Sequence, residues 1–171
     1  FHEERLLFAG TENQPQTIWG SKSGDFENFQ PEATITDAGP FTYTLSSDQV
    51  NVIRWLASQR ILMAGTMSGE WKISASSANA PITPTDISVR KDTSYGSAAV
   101  KPLGIGNVVL FVQGQRRKVR ELAYSFADAS YVAPDMSLIS EHITAGGITE
   151  IAFQREPDQT FWGIRSDGNL L

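Results

Sequence analysis

The sequence predicts a mainly β fold: an incomplete, propeller-like set of roughly three to four small antiparallel meander sheets, with one short helix near residues 135–143. Three observations carry that expectation. Residues 50–73, VNVIRWLASQRILMAGTMSGEWKI, hold β-prone apolar runs separated by the polar turns Ser58-Gln59 and Ser68-Gly69. The first of these runs alternates, with Val50, Val52, Arg54 and Leu56 on one face and Ile53, Trp55 and Ala57 on the other. The unit also recurs: RLLFAGT at 5–11 restates RILMAGT at 60–66.

Taken in order, RLLFAGT reads as a strand, and Glu12 to Pro15 turn the chain into PQTIWGSK, where Ile18 and Trp19 are candidates for burial. Ser23-Gly24-Asp25 is a turn, residues 30–40 a Pro/Thr/Gly-rich loop, and FTYTLSS at 41–47 alternates again. Arg60 to Ala64 is apolar on both faces, as in a strand covered from two sides. Residues 74–89 are small, polar and proline-punctuated, which fits either a surface excursion or an extended strand with loops. GIGNVVLFVQGQRRKVRELAY at 104–124 restates the hairpin, with turns at Gly106-Asn107 and Gly114-Gln115. Met136, Ile139 and Ile143 stand at helical spacing behind Asp135 or Ser137 as a cap, which predicts the short helix. ITEIAFQREPDQTFWGIRSDGNLL at 148–171 closes with a hairpin whose Asp167-Gly168 dipeptide favours a type I′ turn.

Equivalent strands begin near Arg5, Arg60, Asn107 and Thr160, roughly 50 residues apart, a blade-like spacing. The repeats fall near 1–30, 41–76, 100–126 and 147–171, all within a single β-rich unit spanning 1–171. A β-sandwich built of similar short strands remains the alternative architecture.

Composition narrows the function classes. The net charge of −5 argues against a general nucleic-acid binder, and the lack of cysteine removes disulfide and thiolate chemistry. No apolar run approaches the roughly 18 residues of a membrane helix. Nucleophile-elbow, P-loop, dinucleotide and zinc-ligand patterns are all missing, so no catalytic, cofactor or metal site is predicted.

Four features invite a functional reading, and each has a plainer one. His2 with Glu3 and Glu4 resembles a metal or acid–base cluster, but neighbouring residues on a strand point to opposite faces. His142 near Glu141 and Asp135 is more simply a histidine beside a cap. Trp19, Trp55, Trp71 and Trp162 suit sugar stacking, yet each sits beside an apolar run and reads first as sheet packing. Arg116, Arg117, Lys118 and Arg120 form a basic run suited to DNA phosphates or to a partner subunit, with pairing to acidic neighbours as the plainer reading. SKSGDFENF at 21–29 loosely resembles the Asp-box turn of sialidase-type propellers with its Asp and Gly transposed. That turn is structural, and the arginine cluster and activated tyrosine of a sialidase are not identifiable.

FHEERLLFAGTENQPQTIWGSKSGDFENF, then FTYTLSSDQVNVIRWL and ILMAGTMSGEWKI, together resemble the tail nozzle proteins of short-tailed bacteriophages, also called tail tubular protein B or tail stabilisation protein. LFVQGQRRKVRELAYSF, DMSLISEHI and WGIRSDGNLL continue the resemblance in the family's order, over nearly the whole chain. The resemblance implies a β-propeller region assembled as a ring around the DNA exit channel, and a virion structural role without catalytic residues. The implied location is the virion tail, after synthesis in the bacterial cytoplasm. The implied partners are other tail subunits and neighbouring tail or portal-adaptor proteins, with DNA near the channel and no membrane. The family pattern also extends beyond Phe1 and Leu171, so the chain reads as an excised middle portion, phage or prophage in origin. Uncovered sheet faces in such a portion predict homo-oligomerisation. Alternative functions are a glycan-binding or glycosidase-type propeller and a generic protein-interaction propeller scaffold.

Overall fold

The computed structural model describes residues 1–77 and 79–171; Ala78, inside the 74–89 excursion, lies outside the described residues. Among the described residues, thirteen strands form four antiparallel sheets, each a meander whose neighbours follow chain order. The first sheet is β1 (Leu7–Ala9), β2 (Thr17–Gly20) and β3 (Phe41–Thr44). The second is β4 (Ile53–Ser58), β5 (Leu62–Thr66), β6 (Gly69–Ser74) and β7 (Ser88–Thr93). The third comprises β8 (Leu103–Ile105), β9 (Val108–Val112), β10 (Val119–Ser125) and β11 (Ser130–Val132). The fourth pairs β12 (Ile148–Gln154) with β13 (Thr160–Arg165), and Leu171 exchanges both backbone hydrogen bonds with Gly163 along its free edge.

The sheets stack face to face in chain order. Ile18 and Phe41 of the first sheet meet Ile53, Leu62, Ala64, Trp71 and Ile73 of the second. The opposite face of the second sheet supplies Trp55 and Met63 against Val109, Phe111 and Leu122 of the third. Val112 and Val119 then meet Ile148 and Ile151 of the fourth, with Phe161 packed alongside. The inner sheets are therefore covered on both faces. That is why β5 is buried at all five positions and why its sequence is free of charge, with Thr66 its single polar side chain.

Packing here is close enough to dictate residue size. A Cβ placed on Gly65 would lie inside the indole of Trp55, so only glycine lets that ring cross the strand and reach Phe111, 5.6 Å away between centroids.

The structure corrects three expectations. First, Ile53 and Trp55 lie on opposite faces, because the β4–β5 register shifts between them. The bulge turns Ile53 toward the first sheet and Trp55 toward the third. Second, no helix occurs among the described residues. Residues 135–147 run as successive turns instead, closed by Ser140 N to Ser137 O, Ile143 N to Ser140 O and Gly147 N to Thr144 O. Asp135 does act as a local acceptor, taking bonds from the Ser137 amide and hydroxyl. It nucleates an Asx turn only, because Met136, Leu138 and Ile139 are exposed and no apolar stripe finds a core to lie on. Third, the closing hairpin is not type I′. Gly168 is left-handed (φ 83°) while Asp167 is not. Gly168 N bonds Arg165 O and Arg165 N bonds Asn169 O, the pattern of a three-residue loop ending on a left-handed glycine.

Candidate functional site: the basic run and a buried polar network

The β9–β10 connection carries the basic run, and it is a tight loop. Gln113 N bonds Lys118 O, Arg116 N bonds Gln113 O, and Arg116 adopts φ 61° to complete the reversal. The loop sends its four cations to three different places. Arg116 and Arg117 are exposed. Lys118 reaches Asp135 at 2.8 Å and Glu141 at 3.0 Å, holding the turn segment against the sheet. Burial pushes the Asp135 carboxyl upward, but its bonds from Lys118 and Ser137 outweigh that and hold it below the usual carboxylate range.

Arg120 turns inward. Its Nε donates to Gln113 Oε1 at 2.8 Å, its Nη1 donates to Ala133 O at 2.5 Å, and its guanidinium lies 3.5 Å from the Tyr95 ring centroid. It faces the side chain that the sequence reading missed, Glu70, which is 1% exposed on β6. Glu70 accepts from the hydroxyls of Thr93 and Ser97, the latter at 2.9 Å, and from the Tyr95 amide. Burial raises its pKa above the ordinary glutamate value, and those hydrogen bonds with the Arg120 charge oppose the rise. The network joins the second sheet to the third at the 93–97 crossover. Its only sequence signal is a glutamate between Gly69 and Trp71 at the start of β6.

Arg5 plays the matching part in the first sheet. It is buried and donates to Ser21 O and Gly39 O at 2.6 Å and to Asp37 O at 2.6 Å, fixing the long 21–40 loop. Its sequence counterpart Arg60 is exposed and reaches only Asn79 Oδ1, at 3.4 Å.

The histidine candidates do not assemble a site. His2 is buried, its Nδ1 2.9 Å from Ser58 Oγ, and Glu3 spends one oxygen on the Ile82 amide. Burial lowers the His2 pKa, against the pull of Glu3. His142 is exposed. Among the described residues no group of three or more His, Cys, Asp and Glu side chains is arranged to hold a metal.

An open depression of about 360 Å³ lies beside the basic run, lined by Gln113, Gln115, Arg117, Lys118 and Glu141. No aromatic ring lines it. The tryptophans are elsewhere: Trp55 and Trp71 are buried between sheets, Trp19 is half-buried and Trp162 is partly exposed on the fourth sheet. No described helix is long and apolar enough to cross a membrane. The chain matches no protein-family model and no curated protein.

Proposed function

We propose that the chain is a non-catalytic assembly and interface module of a bacteriophage tail, part of the tail tube or nozzle. The observation that carries the reading is the fate of the ionisable groups. Glu70, Arg120, Arg5, Lys118 and Asp135 are each bonded into the frame, leaving sheet faces and loop tips as the accessible chemistry. Stacked meander sheets of this kind are rigid and bind through surfaces. The resemblance to tail nozzle proteins supplies the setting: neighbouring tail and portal-adaptor subunits as partners, with DNA passing nearby. Within the basic run, Arg116 and Arg117 are the exposed cations that can face either partner.

Mass spectrometry of density-purified tailed particles tests the proposal. The polypeptide is expected at a fixed ratio to the portal protein. Its absence from particles that carry all other tail components would overturn the reading.

A further inference from the structure

The second sheet carries an unbalanced row of charge on the face it turns to the third. Register sets Met63, Lys72 and Arg90 side by side across β5, β6 and β7. Met63 lies in the core shared with the third sheet, so Lys72 and Arg90 prolong that row to the lateral rim. Like charges directly opposite on neighbouring strands repel, and neither side chain has an ion-pair partner among the described residues. Arg60, in the β4–β5 turn, adds a third cation; it is exposed and donates to Asn79 Oδ1 at 3.4 Å. Burial and Asp92 raise the pKa of the Tyr131 phenol, and the Arg60 charge close by opposes them. The two carboxylates in the crevice below, beside Lys72 and Tyr131, are already engaged. Asp92 accepts the Tyr131 amide at 3.3 Å, and Glu70 is held by Thr93 and Ser97. Across the crevice, Tyr131 of β11 pairs with Tyr124 of β10. Tyr124 is 45% exposed and Phe126 92%, with ring centroids 5.2 Å apart and Tyr124 5.4 Å from Tyr131. This rim lies between two sheets that the chain itself flanks on both sides, so it belongs to neither end of the stack.

We propose that this rim binds single-stranded nucleic acid, with bases stacked on Tyr124 and Phe126 and phosphates held by Lys72, Arg90 and Arg60. The inference goes beyond the tail reading and does not depend on it. Charge names one half of the ligand: three cations without an acid partner call for an anion with repeated charge. The open rings beside them name the other half, because a nucleic-acid strand offers a planar base next to every phosphate. A duplex keeps its base faces inside its own stack, so it can meet the cations but not the rings. An acidic peptide would satisfy the cations and leave the rings in water. The net charge of −5 disfavours nucleic acid over the surface at large, so the binding is local and weakens with salt.

The test is fluorescence anisotropy of a labelled oligothymidylate of about 12 nucleotides, titrated with the full chain. Wild type is expected to bind at about 50 mM salt, with a log–log salt slope of about −2 from three phosphate contacts. Tyr124→Ala and Phe126→Ala are each expected to weaken binding about tenfold. Lys72→Gln combined with Arg90→Gln is expected to flatten the slope by about 1.4. These side chains lie outside the buried core, so circular dichroism and thermal midpoint are expected to match wild type, which separates lost binding from lost folding. Arg116→Ala with Arg117→Ala is expected to leave the affinity unchanged. No binding at low salt, ring variants that bind as wild type does, or a duplex of equal length bound as tightly would overturn the proposal. Heparin or polyglutamate bound with the same dependence on Tyr124 and Phe126 would also overturn it, assigning the rim to an anionic glycan or an acidic peptide.

Discussion

Replacing Phe111 with alanine removes a ring that is 0% exposed and sits between the second and third sheets against Trp55. The ring accounts for roughly 150 Å² of apolar surface taken from water, about 4 kcal/mol at roughly 25 cal/mol per Å². That agrees with the 3–5 kcal/mol typical of buried Phe→Ala changes, where the residual cavity adds to the transfer cost. For a chain of this length it corresponds to a fall of about 8–16 °C in thermal midpoint. Trp55 is 6% exposed, so water entering the cavity beside it should red-shift tryptophan emission. The assay is thermal unfolding followed in parallel by far-ultraviolet circular dichroism and tryptophan fluorescence. A midpoint loss of less than about 3 °C would refute the reasoning, since it would mean the ring is not enclosed by both sheets. Two separated transitions would also refute it, because stacked sheets sharing their cores should unfold together.

Gly65→Ala should cost about 1–3 kcal/mol by overpacking against Trp55, and Trp55→Leu in the same chain should recover most of that loss in a double-mutant cycle. Glu70 gives a pH signature. Its folded pKa is raised by burial, so its contribution to stability is fullest below the ordinary glutamate value and declines as pH rises through the folded one. Glu70→Gln should therefore gain on wild type in urea midpoint as pH rises above the ordinary glutamate value, and a difference that stays constant with pH would contradict the assignment. Replacing both Arg116 and Arg117 with alanine should flatten the log–log salt slope of any duplex DNA binding, read by fluorescence anisotropy, by about 2, because within the basic run these two are exposed. Lys118→Met should raise the Asp135 pKa in a carboxyl-carbon NMR titration while leaving that DNA slope unchanged.

What the sequence revealed of the fold depended on whether the signal was local. The double-sided apolar run Leu62 to Ala64 identified a strand covered on both faces, and the turns at Ser68-Gly69 and Gly106-Asn107 placed the meanders correctly. The face assignment of Ile53 and Trp55 failed because a bulge moves half a strand to the other side without altering its composition. The helix at 135–143 failed for a complementary reason. Met136, Ile139 and Ile143 had the right period, but period helps only where a facing core exists, and these residues face solvent. The basic run looked like one patch because its residues are adjacent in sequence. Lys118 ends the loop and reaches Asp135, whereas Arg120 lies within β10 and turns into the interior.

A carboxylate with a raised pKa ordinarily marks chemistry, and Glu70 is the one group here that meets that description. Two features argue that it serves the frame instead. A general acid or base must come within hydrogen-bond reach of a substrate, yet Glu70 is 1% exposed and outside the 360 Å³ depression, whose lining includes neither Glu70 nor Arg120. Its oxygens are also already taken by Thr93 and Ser97, so an incoming proton donor would have to displace a bond that holds the 93–97 crossover in place. Breaking that crossover would loosen the second sheet from the third, the junction where Trp55 and Phe111 pack. The same residues cannot both yield to a substrate and keep the stack rigid, and the geometry favours rigidity.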